Sequence, residues 1–428
     1  MKPAPGSRWR LGAGAAAAAF ALSASLASCA SPVAASPTAR PAPTASPTPS
    51  LTVALGAWNI DSASHRLRGL VTLETGPASS DVVLEVSFIG KRGESLGHVT
   101  VPLMNKLLVP GGTGLFEADS SSAPQVPAIR VRVLANVPFP REVGPLEASI
   151  VRSDWEAGPG AVLLGRLTNP SDQTLRVEDL WIVGFDTSDQ PRTMAVGVAA
   201  GDVLEPGESI PFLAEALDAV DVDRWEMMAQ GSATDSSGPS LVDAEEVEFQ
   251  SDPQGNPFVT GVLVNPTDRP RTTRLFLLAT SNQDWLSAGA FEVPVPLPPH
   301  AVWPFSITSL PGLPDRAQEV DLEPYVIDGP AESGVVEVTA EVTGYEVIGS
   351  RLYLRGTVRT KGTDTLHRPT VFSLLRSSEG DLITGGWALA AERLEPGEVV
   401  PFLLTIPVPK GVDLALVEYD VQAFGETE

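Results

Sequence analysis

Residues 81–88 read Asp-Val-Val-Leu-Glu-Val-Ser-Phe, with Val82, Leu84, Val86 and Phe88 on one parity and Asp81, Val83, Glu85 and Ser87 on the other. Successive strand side chains point to opposite faces, so this alternation predicts a half-buried strand. Counterparts run from Leu175 to Phe185, Arg274 to Thr280 and Val371 to Arg376. Upstream of each lies a glycine flanked at two residues on either side by aliphatics: Gly69 by Leu67 and Val71, Gly165 by Leu163 and Leu167, Gly261 by Val259 and Leu263, Gly356 by Leu354 and Val358. These glycines are 96, 96 and 95 residues apart. The spacing puts each glycine on the apolar face of a strand, where it is expected to leave room for a bulky aromatic from the facing sheet.

The pattern is punctuated by turns. Asn169-Pro170-Ser171-Asp172 and Asn265-Pro266-Thr267-Asp268 place proline second in a turn, after asparagine. The fourth copy has Lys361-Gly362-Thr363-Asp364, and the first has Gly76-Pro77 in a longer loop. Further on, Leu204-Glu205-Pro206-Gly207-Glu208-Ser209-Ile210-Pro211-Phe212 recurs as Leu394-Glu395-Pro396-Gly397-Glu398-Val399-Val400-Pro401-Phe402. Looser copies run from Leu297 to Phe305 and from Leu108 to Phe116. Pro-Gly suits a type II turn with glycine at positive φ. His300 in glycine's place points to a type I turn in the third copy. The second proline marks an edge or strand start, with the following Phe directed into a core.

About seven short strands in each ~95-residue copy match the size and rhythm of an immunoglobulin-like sandwich. The fold class expected is therefore all-β, with tandem sandwiches at 51–142, 143–240, 241–332 and 333–428. Composition agrees. The 428 residues are 43% hydrophobic, distributed in short Val- and Leu-rich runs broken by 40 prolines and 38 glycines. No Cys–Trp–Cys pattern occurs. With a single cysteine, Cys29, no intramolecular disulfide forms, and packing alone holds the sandwiches.

The first 28 residues carry Lys2, Arg8 and Arg10 and no acid; without them 26 basic residues face 53 acidic ones, a net of −27. That charge repels nucleic acid and anionic lipid headgroups. Residues 11–28 form an Ala-rich apolar run with Phe20, Leu22 and Leu26, an h-region after a basic start. It ends in Leu26-Ala27-Ser28-Cys29, which resembles the lipobox of exported bacterial lipoproteins. The resemblance implies a signal peptide over 1–28, cleavage before Cys29 and lipidation of that cysteine, with two or more chains giving stable attachment to the extracytoplasmic face of a cell membrane. Residues 29–50, rich in Ser, Pro, Ala and Thr, cannot form a core and predict a disordered, extended tether.

Gly165-Arg166-Leu167-Thr168-Asn169, Gly184-Phe185-Asp186 and Pro206-Gly207-Glu208 with Pro211-Phe212 together resemble the FxLYD family of bacterial surface domains. The fourth copy shares the ending but has Leu375-Arg376 where Phe-Asp would stand. The resemblance implies an extracytoplasmic β-sandwich and brings no catalytic residues.

Candidate chemistry is sparse. His65, His98, His300 and His367 lie in four different contexts without metal-ligand spacing. No nucleophile elbow, P-loop or dinucleotide fingerprint is present. Asp218, Asp221 and Asp223 cluster in a loop but lack a calcium loop's glycine and closing glutamate. Among eight tryptophans, Trp303 occupies a strand position held by Ile210 and Val400 elsewhere, whereas Trp285 and Trp387, near turns or short edges, are the better candidates for an exposed contact. The expectation is a lipid-anchored, non-enzymatic structural or protein-binding module needing no cofactor or metal. A carbohydrate- or cell-wall-binding lipoprotein is the alternative.

Overall fold

In the computed structural model, residues 51–61, 63–121, 126–155, 160–216, 221–235, 240–308, 310, 320–360, 362–414 and 417–427 are described. The leader with Cys29, the tether, Asp218, Lys361 and the Trp155 side chain lie outside them.

Every described element longer than a turn is a strand. Repeat 1 holds β1 (Thr52–Asp61), β2 (Arg66–Thr75), β3 (Ser79–Ile89), β4 (Ser95–Pro102), β5 (Leu107–Leu108), β6 (Thr113–Asp119) and β7 (Ala128–Pro138). Repeat 2 holds β8 (Val143–Pro145), β9 (Glu147–Trp155), β10 (Ala161–Thr168), β11 (Leu175–Phe185), β12 (Pro191–Ala199), β13 (Val203–Leu204), β14 (Ser209–Ala216) and β15 (Arg224–Ala233). Repeat 3 holds β16 (Asp243–Ser251), β17 (Pro257–Val264), β18 (Arg271–Ser281), β19 (Asp284–Glu292), β20 (Val302–Ile307) and β21 (Asp321–Pro330). Repeat 4 holds β22 (Gly334–Glu337), β23 (Thr339–Ile348), β24 (Arg351–Arg359), β25 (Leu366–Arg376), β26 (Leu382–Leu389), β27 (Arg393–Leu394), β28 (Val399–Pro407) and β29 (Glu418–Thr427).

Each repeat is a sandwich of two antiparallel sheets. One, here the glycine sheet, is β1-β2-β6 and, in later repeats, β9-β10-β14, β16-β17-β20 and β23-β24-β28. The other, the alternating sheet, is built on β3, β11, β18 and β25. In repeat 2 strand β12 pairs with both β11 and β14, closing the sandwich along one edge.

The glycine and the Phe of the turn motif are a cross-strand pair. Gly69 lies opposite Phe116, Gly165 opposite Phe212, Gly261 opposite Phe305 and Gly356 opposite Phe402. A Cβ on any of these glycines would fall under 3.0 Å from its partner's ring. The aromatic therefore comes from the neighbouring strand of the same sheet, not from the facing sheet. A ring lying across a bare glycine backbone keeps its edge in the core, and all four rings are buried.

The motif also carries the chain between sheets. Leu204 pairs with Leu175 and Leu394 with Leu366 on the alternating sheet, while the following Phe lies on the glycine sheet. The turn between them is closed by Glu208 N donating to Glu205 O at 3.0 Å, with Gly207 at φ 76°. His300 adopts φ 58° and its turn closes from Ala301 N to Pro298 O at 3.2 Å. A left-handed third residue excludes a type I turn, so the third copy keeps the geometry of its sisters despite the side chain. Asn169 and Asn265 do more than start turns. Both are fully buried: Asn169 Nδ2 donates to Leu204 O at 3.0 Å, and Asn265 Nδ2 to Leu297 O at 3.0 Å. Each thereby ties its turn to the start of the motif.

Candidate functional site: the faces between repeats

The alternating strands divide their side chains between two cores. On β11, Leu180 and Ile182 enter the core of repeat 2, whereas Trp181, Val183 and Phe185 join Leu70 and Leu115 of repeat 1. On β18, Leu275, Leu277 and Ala279 serve repeat 3, whereas Phe276 and Leu278 join the core of repeat 2. On β25, Val371 and Leu375 serve repeat 4, whereas Phe372 joins repeat 3. The arrangement is the same three times: the outer face of a glycine sheet receives the outer face of the next alternating sheet. The described residues accordingly fall within one compact unit.

Polar contacts register each docking. Between repeats 1 and 2, the Asp179 carboxylate accepts from Lys106 N at 2.8 Å and Leu107 N at 2.7 Å. Arg68 pairs with Glu117 at 3.0 Å and also donates to Arg192 O across the interface. Between repeats 2 and 3, Arg166 lies 5.1 Å from the Trp285 ring centre, and Arg274 pairs with Asp202 at 2.6 Å. Tyr325, packed edge-on to Phe276, has its phenol pushed up to about 12, first by burial and then by its hydrogen bond with Glu323. Between repeats 3 and 4, Trp303 and Phe372 are 4.4 Å apart, and Ser306 Oγ donates to Gly385 O at 2.7 Å. A Cβ on Gly385 would fall under 3.0 Å from the Pro304 ring, so this glycine permits close approach.

Asp179 supplies a pH test of the first docking. Burial, the largest influence, raises its carboxyl pKa against the pull of the two backbone donors. A raised folded pKa means the folded chain holds the proton to higher pH than the unfolded chain. Its contribution is complete below the unfolded carboxylate value of about 3.9 and is lost as pH rises through the folded value. Asp179→Asn should cost about 1–3 kcal/mol by setting an amide donor against a backbone N–H. Urea midpoints should show that cost larger at pH 5 than at pH 8. A cost independent of pH would remove the carboxyl from the account.

Two grooves open where three successive repeats meet. One, of about 530 Å³, is lined by Arg66, Arg68, Glu117, Met194, Leu213 and Glu215. The other, of about 670 Å³, is lined by Arg176, Asp202, Arg274, Asp328, Arg368 and Glu426 among others. Asp328 has a fully buried side chain paired with Arg271 and accepting from Leu241 N at 2.9 Å. It ties the entry to repeat 3 to that repeat's last strand.

The residues singled out from sequence sit as follows. Trp303 is fully buried, as its strand position required. Trp285 and Trp387 are not exposed contacts: both are half-buried and pack into the cores shared by adjacent repeats. Their nearness to turns concealed that each belongs to an alternating sheet covered by the preceding repeat. His300 pairs with Asp268 at 2.9 Å, and His98 is exposed on β4. Asp223 N donates to Phe185 O at 2.7 Å, and Asp221 has φ 58°, so this part of the loop leads directly into β15 beside β11. Among the described residues no three metal-ligating side chains converge, and no helix is long and apolar enough to cross a membrane.

Fold and faces together define a tandem immunoglobulin-like sandwich protein whose repeats share their cores. No family model matches the chain, and no curated protein matches it. Among solved structures, E. coli alpha-2-macroglobulin in its native conformation aligns over 89% of this chain at 13% identity, with a TM-score of 0.12. This chain spans 28% of that protein's length. A likeness of that size carries no functional argument.

Proposed function

We propose that this chain is a bacterial lipoprotein, anchored through Cys29 at the extracytoplasmic face of the cell membrane, whose four sandwiches act as a non-enzymatic structural and protein-binding module. The observation that carries the reading is the repeated use of aromatic sheet faces as docking surfaces between sandwiches. A chain built three times from one face-to-face contact is suited to holding a surface in fixed orientation. The lipobox-like Leu26-Ala27-Ser28-Cys29 and the Pro/Ser-rich tether support the anchor, and the FxLYD-like features of repeat 2 support the location. Labelled palmitate should enter the parent chain and not Cys29→Ala, which should leave the membrane fraction. Equal labelling of both would overturn the anchor.

Glycan binding is the second reading, and one feature favours it. Tyr345 and Tyr419 are 67% and 47% exposed and rim a cavity of about 230 Å³ in repeat 4, lined also by Leu352, Leu354 and Leu375. Exposed aromatic rings offer stacking surfaces to sugars. Retention on cell-wall glycan that is lost in Tyr345→Ala would establish this reading in place of the first.

A further inference from the structure

Sulfur is unevenly placed along this chain. Cys29 and Met1 precede the first strand, and the remaining methionines are Met104, Met194, Met227 and Met228. Met104, Met194 and Met228 pack against the cluster in which Trp181, Val183 and Phe185 of repeat 2 meet Leu70 and Leu115 of repeat 1. Met227 packs against the core of repeat 2. The other two dockings are closed by Phe276, Trp285 and Tyr325 and by Phe372, Trp387 and Phe424, and repeats 3 and 4 contain no methionine. The thioethers are thus gathered where repeat 1 docks on repeat 2.

Met104 and Met194 come to that docking from different repeats. Both are half-buried, and both line the open groove of about 530 Å³, which admits a solute little larger than water. Each stands two residues from a polar contact that registers the docking. After Met104, Lys106 N and Leu107 N donate to Asp179, and Met104 N itself donates to Leu115 O at 2.7 Å. Before Met194, Arg192 O accepts from Arg68. Leucine would fill the same space at little cost, so packing alone does not call for methionine. Methionine adds a sulfur that oxidants attack.

We propose that Met104 and Met194 are a reversible oxidation site, whose conversion to sulfoxide by a peroxide loosens the docking of repeat 1 on repeat 2 and leaves the other two dockings closed. With hydrogen peroxide, a sulfur lone pair forms a bond to one peroxide oxygen and the O–O bond breaks. The displaced hydroxide takes the proton left on the transferred oxygen and departs as water. Sulfur is oxidised by two electrons and the peroxide reduced by two. The product is a polar S–O group beside Leu70, Leu115 and Trp181, where it costs free energy until it reaches water. Turning Met104 toward water pulls on the segment whose amides hold Asp179. Turning Met194 pulls on the carbonyl that holds Arg68. The proposal depends on neither the anchor nor a partner protein.

The test treats the full folded chain with hydrogen peroxide, locates sulfoxides by peptide mass spectrometry and follows amide hydrogen exchange. The expected result is sulfoxide at Met104 and Met194, with exchange of the Lys106 and Leu107 amides at least tenfold faster and exchange in β20, β24 and β26 unchanged. A chain carrying Met104→Leu and Met194→Leu should match the untreated parent and not respond to peroxide. Methionine sulfoxide reductases of both stereochemical classes should return the oxidised parent to slow exchange, using a dithiol that becomes a disulfide as the oxygen leaves as water. Sulfoxide at both positions without faster exchange would overturn the proposal, as would sulfoxide that forms only in urea. Equal acceleration in the leucine chain, acceleration throughout β24 as well, or exchange that stays fast after the sulfoxides are reduced would also overturn it.

Discussion

A Gly165→Val chain should unfold at markedly lower urea concentration than the parent, and combining it with Phe212→Ala should cost less than the sum of the two single changes. The new Cβ would fall under 3.0 Å from the Phe212 ring and also from the Ser149 carbonyl oxygen of the strand on its other side. Both neighbours are fixed, one by a close-packed core and one by the ladder. The penalty should therefore reach or exceed the roughly 1–3 kcal/mol typical of overpacking. Phe212→Ala alone opens a cavity and should cost about 3–5 kcal/mol. In the double variant the valine side chain partly fills that cavity. The two changes should then couple by about 0.5–3 kcal/mol, measured as the shortfall from additivity. Strict additivity would mean that glycine and ring do not act as a pair. The close ring recurs at Gly69, Gly261 and Gly356, so the coupling between glycine and ring should transfer to each.

Phe372→Asp should release repeat 4 from repeat 3 while leaving repeat 4 folded. Phe372 is fully buried, 4.4 Å from Trp303 and stacked 5.9 Å from Phe424. A carboxylate there has no partner, and burying it costs far more than the docking contact returns. Undocking relieves that cost, because the core of repeat 4 is built on Val371, Leu375 and Phe402 and does not use Phe372. The expected signature is a single urea transition becoming two, with amide exchange accelerated in β20 and β26 and little changed in β24. Phe372→Leu should keep the coupled transition. Loss of exchange protection throughout β24 would show that the face is part of repeat 4's own core and contradict the docking account.

Much of the fold was legible because two local signals survive without tertiary information. Period-two alternation located β3, and the spacing of Gly69, Gly165, Gly261 and Gly356 counted the repeats. Their relation to Phe116, Phe212, Phe305 and Phe402 was hidden. The two partners are more than forty residues apart, and only strand register brings them together. The docking faces were written in the sequence but read as ordinary half-buried strands. Residues 180–185 of β11 are Leu-Trp-Ile-Val-Gly-Phe, with no polar parity, whereas β3 and β24 alternate. A continuous apolar run belongs to a strand covered on both sides. That difference separates internal sheets from terminal ones, and it explains why Trp285 and Trp387 are occupied by neighbouring repeats. His300 misled for a smaller reason: a turn closed by its surroundings holds a left-handed histidine as it holds glycine. The docking carboxylate Asp179 carried no local signal, since its donors are the backbone of Lys106 and Leu107 in another repeat.

The central claim is that the four sandwiches share cores and are not joined by their linkers alone. It is tested most directly by cutting one linker. A site-specific protease sequence inserted between Glu332 and Ser333 allows the chain to be cleaved after folding, between β21 and β22. The account predicts that the two fragments stay together at the size of the uncut chain in sedimentation, held by Phe372, Trp387 and Phe424 against repeat 3, and that they part when Phe372→Asp is present. Fragments of the parent chain that separate on cleavage under native conditions would contradict it.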